Sequence, residues 1–206
     1  MKIIFDFDHT LYSTQRFYDA LKKSFYNLGV DENLFQKTFN QSKKTGKGYE
    51  AVEQVELICK EKPSVCKNDL KDVFEEILGE DFIYPDVVSV LKDLKSYDLY
   101  ILSYSKIDLQ GEKISCSKIR KFFKEAYITD DDTKVSAMER IISKDEKAVI
   151  VDDNLEVLSK LKNKFSNLVT VRMNRGEGKY KDWPDNSEVD YSIRKLEELK
   201  NILTEI

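Results

Sequence analysis

The chain has 206 residues, of which 41% are hydrophobic, and its 34 basic and 38 acidic residues give a formal net charge of -4. A chain of this length can bury a genuine core, either as one large domain or as a domain with an insertion. The charges are close to balance, which excludes an overall field that would recruit nucleic acid or a membrane surface. A small-molecule partner is therefore expected.

The cysteines and the first residues indicate the compartment. The three cysteines, Cys59, Cys66 and Cys116, are an odd number, form no CxxC and lack histidine neighbours, so neither a disulfide framework nor a zinc site is supported. The run from Met1 to Phe5 is too short, and too soon followed by acidic residues, for a signal peptide. We expect a cytoplasmic protein.

The first predicted element is a short buried strand over residues 1–5, followed directly by Asp6-Phe7-Asp8. In extended backbone, Asp6 and Asp8 would project to one side roughly 7 Å apart, which suits a phosphoryl group. Catalytic groups of open α/β sheets lie just beyond the carboxyl ends of the strands. The acidic pair alone also fits a solvated turn, so the rest of the chain has to decide.

A helical block follows. Apolar residues recur at helical spacing between Phe17 and Leu28, and further helices are predicted over 32–39, 49–60 and 68–78, with no strand signal between them. Roughly ninety residues separate the first strand from the next, whereas a βαβ unit needs only about thirty. We therefore predict an inserted helical cap, 13–84, that acts as a lid. A helical decoration that only covers a sheet edge is the alternative.

Helices and strands alternate from about residue 86. Helices are predicted over 87–94, 114–123, 135–142, 155–165 and 194–206, and strands over 99–103, 126–129, 148–152 and 168–173. This alternation predicts an α/β fold, a three-layer parallel sheet covered on both faces, with the inserted all-helical cap. The predicted α/β core comprises 1–12 and 85–206.

Three polar features fall where such a sheet would bring them together. Ser103 ends one predicted strand, Lys134 begins a helix, and Asp152-Asp153 end another strand. Singly, each has an ordinary explanation, because serine often ends strands, lysine is usually solvated and Asp-Asp-Asn often caps a helix. Their order along the sheet predicts one shared crevice.

Four motifs, DFDHTL, ILSYS, TKVSAMERI and VIVDDN, occur in this order. The chain thereby resembles the haloacid dehalogenase (HAD) superfamily of phosphohydrolases, in the form with a helical C1-type cap, and the resemblance covers nearly the whole sequence. Two departures are modest. His9 stands where a small residue or Asn is commoner, and Lys134 lacks the proline that often follows it.

The resemblance implies a role for each of these side chains. Asp6 would be the nucleophile that forms an aspartyl-phosphate, and Asp8 would first protonate the leaving group and then activate water. Ser103 and the backbone amide of Tyr104 would bind phosphoryl oxygens. Lys134 would neutralise charge on the phosphoryl group and on Asp6.

A divalent cation follows from the charges. Four carboxylates within about 5 Å would repel by roughly 3 kcal/mol per pair at an effective dielectric near 20, more than one lysine offsets. The resemblance implies Mg²⁺, bound by Asp6, the carbonyl of Asp8 and Asp152. Asp153 would ligate through water or hold Lys134, and a cap of the following helix is its alternative role.

These residues predict a Mg²⁺-dependent phosphatase that hydrolyses a small phosphate monoester, with a phosphorylated metabolite as its partner. A phosphomutase or phosphotransferase would use the same intermediate, and the sequence does not separate the two. A receiver-type signalling module carries its acidic pair and its acceptor aspartate in a different order. A non-catalytic phosphate-binding module would be expected to have lost at least one of these groups. A dehalogenase is disfavoured, because carbon–halogen displacement needs neither the Asp8 acid nor a metal.

The remaining candidates are residues with a structural alternative. His9 is expected to face away or to line the entrance, since the resemblance places acid–base chemistry on Asp8, and Cys116 has no basic partner that would activate it. Core packing is favoured over substrate contact for four aromatic residues, Tyr12, Phe17, Tyr18 and Tyr49. Substrate selection or simple solvation remains open for three loop lysines, Lys43, Lys44 and Lys47.

Overall fold

The computed structural model describes residues 1–43, 49–105 and 109–206. In this part of the chain one parallel sheet has the strand order β3-β2-β1-β4-β5-β6. The strands are β1 (Lys2–Phe5), β2 (Asp98–Tyr104), β3 (Glu125–Thr129), β4 (Ala148–Asp152), β5 (Leu168–Met173) and β6 (Tyr191–Ile193). The predicted α/β fold with a parallel sheet is confirmed.

The register places the first strand in the middle of the sheet. Lys2 pairs with Asp98 of β2 on one side and with Ala148 of β4 on the other. All five residues of β4 are buried, which explains why the first four, residues 148–151, form a continuous apolar run rather than an alternating pattern. β1, β2 and β4 therefore end side by side at one rim, and the polar residues that follow them meet there.

Helices connect the strands, and some of them pack on the sheet. The described ones are α1 (Thr14–Asn27), α2 (Glu32–Ser42), α3 (Ala51–Glu61), α4 (Lys67–Leu78), α5 (Val87–Asp93), α6 (Leu109–Cys116), α7 (Val135–Ile141), α8 (Leu155–Lys164) and α9 (Leu199–Glu205). Ile4 and Ile150 pack on one face in a cluster with Met138 of α7 and Leu158 of α8. Phe5 points to the other face and meets the edge of Phe123, with ring centroids 6.0 Å apart.

Two predicted helices differ in the structure. The helix expected over 114–123 is α6, which ends at Cys116, followed by a separate 3-10 turn, Arg120–Phe122. The helix expected from Arg194 starts later, with a 3-10 turn, Leu196–Glu198, that runs into α9. There the Glu198 carboxylate accepts the backbone N–H groups of Arg194 and Lys195 (3.0 and 2.7 Å), which fixes the start of the turn after these residues.

The chain divides into two compact units. One comprises Met1–Thr14, Ile83–Tyr104 and Lys118–Ile206 and contains the sheet, and the other comprises Gln15–Phe82 and Ser105–Ser117 and is helical. These bounds differ from the predicted domains, 1–12 with 85–206 and 13–84, mainly at 105–117. The predicted division into core and cap stays a prediction.

The helical unit has an aromatic core of its own. Phe25 packs edge-on against Phe35 and Phe74, with ring centroids 5.7 and 5.5 Å apart. The fully buried amide of Gln54 accepts a hydrogen bond from the Tyr49 hydroxyl (2.6 Å) and donates one to the Phe35 carbonyl (3.2 Å). The buried polar group is thus paired, as an apolar interior requires. No helix in the described part of the chain is long and apolar enough to cross a membrane.

Candidate active site

The site begins where β1 leaves the sheet. The backbone N–H of Asp6 still donates to the carbonyl of Val151 (2.8 Å), so Asp6 lies next to the end of β4. The chain then turns, because the N–H of Tyr12 returns to the carbonyl of Phe7 (3.0 Å) and the two rings stack at 5.0 Å. This turn holds Asp8 at the rim of the sheet beside Asp6.

Asp8 is oriented by a residue that the sequence analysis did not single out. The hydroxyl of Thr14, the first residue of α1, donates to Asp8 Oδ1 at 2.6 Å. His9 has a positive φ of 56°, a backbone conformation that residues other than glycine seldom adopt outside tight turns. The turn thereby presents Asp8 and His9 to the same pocket.

Lys134 links the ends of two strands. Its ammonium nitrogen lies 2.5 Å from Asp6 Oδ1 and 2.7 Å from Asp152 Oδ2. All three side chains are at least nine-tenths buried, so their charges are weakly screened by water. Removing Lys134 would leave two buried carboxylates without this partner, whereas removing either carboxylate would leave the lysine paired with the other.

A clamp formed by Asp131 positions Lys134. The carboxylate accepts the backbone N–H and the hydroxyl of Thr133 (2.9 and 2.6 Å) and those of Ser136 (3.1 and 2.9 Å). These bonds, led by that from the Thr133 hydroxyl, lower the pKa of Asp131 to about 2. The Asp131 carbonyl also accepts the N–H of Lys134 (3.0 Å), whose φ is 59°. These hydrogen bonds fix the first turn of α7, although Lys134 is not followed by a proline.

The end of β4 supplies two further carboxylates. Asp152 Oδ1 accepts the N–H of Asn154 (2.8 Å), and the Asn154 side chain accepts the N–H groups of Glu156 and Val157 at the start of α8. Asn154 is therefore the cap of α8, and the alternative role of Asp153 as that cap is wrong. The backbone before α8 places Asp152 and Asp153 one after the other at the rim.

Three carboxylates could hold a metal ion. Oxygens of Asp6, Asp152 and Asp153 lie within 4.8 Å of one another. An all-oxygen donor set of this charge suits a hard divalent cation such as Mg²⁺. The carboxylate of Asp8 is not in this group, which is compatible with the implied role of its carbonyl as the ligand. The residues present thus fit the metal that the resemblance implies.

The pKa values of two carboxyl groups in the site are raised because negative charges are buried close together there. Burial raises the pKa of Asp6 to about 7, although Lys134 lowers it, and the charge of Asp152 adds to the rise. Burial, and next the charge of Asp152, raises the pKa of Asp153 well above its ordinary value. Burial alone would lower the pKa of Lys134, but the two carboxylates raise it, so the lysine stays charged.

The predicted catalytic and binding side chains line one pocket of about 250 Å³. Ser103 is 1% exposed and Tyr104 36% exposed, at the end of β2. The residues that line the pocket are Asp6, Asp8, His9, Ser103, Tyr104, Lys134, Asp152, Asp153, Asn154, Lys179 and Tyr180. The structure therefore brings all the predicted site residues together, and the role of each stays a prediction.

Lys179 and Tyr180 were not predicted. They belong to the connection between β5 and β6, residues 174–190, which we call the β5–β6 loop. Because β5 is parallel to β4 and adjacent to it, its carboxyl end reaches the same rim. The strand predicted over 168–173 therefore indicates which rim the following residues reach, but not which of them enters the pocket.

The other candidates lie elsewhere or in packing roles. Lys43 lies 3.8 Å from the centre of the Phe39 ring, whereas Lys44 and Lys47 lie outside the described residues. Cys59, Cys66 and Cys116 are free thiols. Tyr18 packs edge to face against Tyr49, with ring centroids 5.4 Å apart, which is the packing role favoured for these aromatic side chains.

Comparison with known proteins identifies the fold. No protein-family model matches the sequence, and no curated protein does. A Burkholderia xenovorans protein described as a haloacid dehalogenase-like hydrolase superposes with a TM-score of 0.74, at 20% identity over 96% of both chains. The HAD-hydrolase YfnB of Bacillus subtilis, solved with magnesium, gives 0.67 at 19% identity over 98% of this chain and 97% of its own.

A dehalogenase is also among the similar structures. The L-2-haloacid dehalogenase of Xanthobacter autotrophicus, with chloropropionic acid covalently bound, gives a TM-score of 0.63 at 12% identity over 98% of both chains. The chain has the Rossmann-like fold of the haloacid dehalogenase-like hydrolases, and the resemblance drawn from its motifs is confirmed at the level of the fold. The fold class alone does not choose between phosphate and halide substrates.

Proposed function

We propose that this protein is a Mg²⁺-dependent phosphatase that hydrolyses a small phosphate monoester through an aspartyl-phosphate on Asp6. One observation carries the proposal: the Lys134 ammonium lies between Asp6 and Asp152, with Asp153 completing a group of oxygen ligands. This arrangement suits a dianionic phosphoryl group, because it combines a nucleophile with fixed positive charge at the same point.

In the first step an oxygen of Asp6 attacks phosphorus, and the bond from phosphorus to the alcohol oxygen of the substrate breaks. Asp8 gives its proton to that leaving oxygen, so the product leaves as a neutral alcohol. The Thr14 hydroxyl donates to Asp8 Oδ1 and so helps to orient this carboxyl group. Lys134 offsets the charge that accumulates on the phosphoryl oxygens, while Ser103 and the Tyr104 amide hold those oxygens in place.

In the second step water attacks the phosphorus of the aspartyl-phosphate. Asp8, now a carboxylate, takes the proton from this water, and the bond between phosphorus and Asp6 breaks to release inorganic phosphate. Asp8 is then protonated again, so the cycle closes without a further reactant. The bound Mg²⁺ would supply charge neutralisation and orientation to the phosphoryl oxygens, held by Asp6, the Asp8 carbonyl, Asp152 and Asp153.

Phosphate chemistry is favoured over dehalogenation by two features of the site. A halide leaves without a proton, so displacement of halide would have no use for the acid that Thr14 holds in place. It would also not need the clustered carboxylates, whose mutual repulsion has to be offset by a cation. Transfer of the phosphoryl group back to a rotated substrate, as in a phosphomutase, remains the second candidate because it uses the same intermediate.

The test is release of inorganic phosphate from p-nitrophenyl phosphate with Mg²⁺. Wild type should turn over, chelation of Mg²⁺ should abolish activity, and Asp6→Asn should reduce kcat by about 10³-fold or more while the protein remains folded. Asp145→Asn is the control, since Asp145 is exposed and precedes β4, at the opposite end of that strand from Asp152. Activity retained in Asp6→Asn would remove the nucleophile assignment.

Two parallel assays separate the alternatives. Interconversion of sugar phosphate isomers without net phosphate release would identify a mutase, and chloride release from 2-chloropropionate would identify a dehalogenase. We further propose a small phosphorylated metabolite as substrate, no nucleic acid or membrane partner, and a cytoplasmic location. The near balance of charge and the free cysteines support these expectations.

A further inference from the structure

The catalytic pocket has a deep part and an exposed part, and a second lysine belongs to the exposed part. Asp6, Lys134 and Asp152 are 6%, 3% and 0% exposed, whereas Lys179 on the β5–β6 loop is exposed. Both lysines line the same pocket. The proposed reaction of the phosphoryl group takes place in the deep part. Lys179 therefore lies beside the part of a substrate that extends beyond its phosphoryl group.

The two lysines differ in their partners. Lys134 is committed to two carboxylates at 2.5 and 2.7 Å. The Lys179 ammonium donates to the Tyr180 hydroxyl (3.3 Å) and lies 4.7 Å from the centre of that ring, and it forms no ion pair within the described ranges 1–43, 49–105 and 109–206. Lys179 is thus an exposed cation at the pocket with no carboxylate in salt-bridge contact among the described residues, although the charge of Glu156, which accepts a hydrogen bond from the Tyr180 hydroxyl (3.3 Å), acts on it.

The loop that carries Lys179 is fixed to the end of β5. Arg172 is 3% exposed, and its guanidinium donates to the carbonyls of Tyr180 (2.6 Å) and Trp183 (2.8 Å) and to Asp185 (2.6 Å). The Tyr180 and Trp183 rings pack edge to face, with centroids 5.1 Å apart. A buried arginine that holds two backbone carbonyls gives this part of the loop a defined position.

The loop is also attached to the turn that carries the catalytic acids. Arg175 donates twice to the Thr10 carbonyl (3.0 and 3.2 Å), and the Ser13 hydroxyl donates to the Glu177 carboxylate (3.2 Å). A Cβ on Gly178 would lie 3.1 Å from His9 Cδ2, closer than ordinary van der Waals contact, and the φ of +81° there also favours glycine. Lys179 therefore follows directly after a residue in close contact with the neighbour of Asp8.

From this placement we propose that Lys179 is a specificity-determining residue that binds a second anionic group of the substrate, a carboxylate or another phosphate. The proposal rests on the proposed function, because it takes the deep part of the pocket as the phosphoryl site. Tyr180 supports the lysine through its hydroxyl and its ring. The substrate class is accordingly a small metabolite with a phosphate ester and another anion a few bonds away.

Binding of unreactive phosphonates tests the proposal without turnover. Calorimetry with Mg²⁺ would compare ω-phosphonoalkanoates of three to five carbons with alkylphosphonates of matching length, and a second series would carry a terminal phosphonate instead of the carboxylate. We expect wild type to prefer the doubly anionic ligands by about fivefold at one length, as for a partly exposed ion pair. The series that shows the preference identifies the anion.

Variants test whether the preference for doubly anionic ligands depends on the Lys179 side chain. Lys179→Gln should abolish it, and Lys179→Arg should retain most of it. Lys181→Gln, which removes another exposed lysine of the same loop outside the pocket lining, should keep the wild-type preference. The proposal is overturned if wild type has no preference at any length or if the preference survives in Lys179→Gln. Failure to hydrolyse p-nitrophenyl phosphate would instead overturn the proposed function.

Discussion

Lys134 is the residue on which the buried charges of the site depend. Its ammonium group is the cation nearest to Asp6 and Asp152, and both carboxylates are almost inaccessible to water. Without the lysine, the folded protein would hold two like charges at close range in a medium that screens them poorly. Stability and the proposed catalysis therefore depend on the same side chain.

The variant Lys134→Met should lose about 3 kcal/mol of unfolding free energy when a chelator removes divalent cations, because two buried carboxylates lose their partner. Urea denaturation at neutral pH measures this loss. Lys144→Met, at an exposed position, is the control and should change stability by no more than about 0.5 kcal/mol. Equal stability of the two variants would contradict the role assigned to Lys134.

The Asp131 clamp predicts a pH dependence of stability. Its pKa of about 2 in the folded protein is below the ordinary value of 3.8, so its contribution is present above about pH 4 and is lost as pH falls towards 2. Wild type should exceed Asp131→Asn by about 1 kcal/mol above pH 4, as for other helix caps, and by progressively less below it. Denaturation curves between pH 2 and 6 measure the difference.

The control for that series is Asp132→Asn, which removes an exposed neighbouring charge outside the clamp. A difference between wild type and Asp131→Asn that is constant from pH 2 to 6 would mean that the hydrogen bonds to Thr133 and Ser136 do not depend on the charge of Asp131.

At the scale of single residues, sequence reasoning found the groups that motifs mark and missed those that act through backbone geometry. The site residues between Asp6 and Asp153 lie in four recognisable motifs. Asp131 was missed because its function depends on four hydrogen bonds that no residue spacing reveals. Lys179 was missed because its proximity to the site arises from the docking of a loop onto the Thr10 carbonyl.

Among the elements, the β5–β6 loop offers a matched pair of glycines. Gly176 and Gly178 have φ values of +75° and +81°, but a Cβ on Gly176 meets nothing within 4 Å, whereas one on Gly178 lies 3.1 Å from His9. Alanine at either position should cost about 1 kcal/mol for the left-handed backbone. Gly178→Ala should in addition lower kcat/KM for p-nitrophenyl phosphate by about tenfold, because it displaces the wall formed by His9 and Lys179.

Comparing Gly176→Ala with Gly178→Ala separates the effect of the contact with His9 from that of backbone strain, since both variants carry the same backbone cost. Denaturation and steady-state kinetics on the two proteins are the measurements. If kcat/KM falls equally in Gly176→Ala and Gly178→Ala, then the close approach to His9 has no bearing on the pocket.

Element bounds were predictable where burial is continuous. The predicted bounds of β4 and β5 coincide with the observed ones, because both are short, β-branched, largely apolar segments in which nearly every residue is buried. β6 was missed, since three residues, one of them exposed, are too few for any period to show. Hydrophobic spacing at 114–123 continued across the break between α6 and the 3-10 turn, which explains the error there.

For the whole molecule, the acidic cluster predicts that metal and stability are linked. A cation that binds only the folded protein raises its stability by mass action, by about 2.7 kcal/mol at a concentration 100 times Kd. We expect Mg²⁺ to raise Tm by several degrees. In Asp153→Asn the metal-free protein should gain about 1 kcal/mol, because one of three clustered charges is gone, and the response to Mg²⁺ should shrink.

Thermal unfolding with and without Mg²⁺ measures both effects, with Asp145→Asn again as the control. A metal-free Asp153→Asn less stable than wild type would show that Asp153 is held by favourable contacts rather than strained by its neighbours.

The fold of the whole molecule was accessible from the order of the motifs and the alternation of helices and strands, and the structure confirms a parallel α/β sheet. The division into core and cap, and the function of residues 13–84 as a lid, stay predictions. Side-chain patterns identify which residues pack within a unit, as Phe25 and Phe35 do, but they do not specify movement between units.

The central position of β1 has a consequence for biosynthesis. β1 is synthesised before its neighbour β4, residues 148–152, so the middle of the sheet stays open on one side until those residues have left the ribosome. Until then an apolar strand edge is exposed, which favours chaperone binding or misassembly of the nascent chain. Truncating the coding sequence before residue 148 should therefore yield aggregating fragments rather than a smaller folded protein.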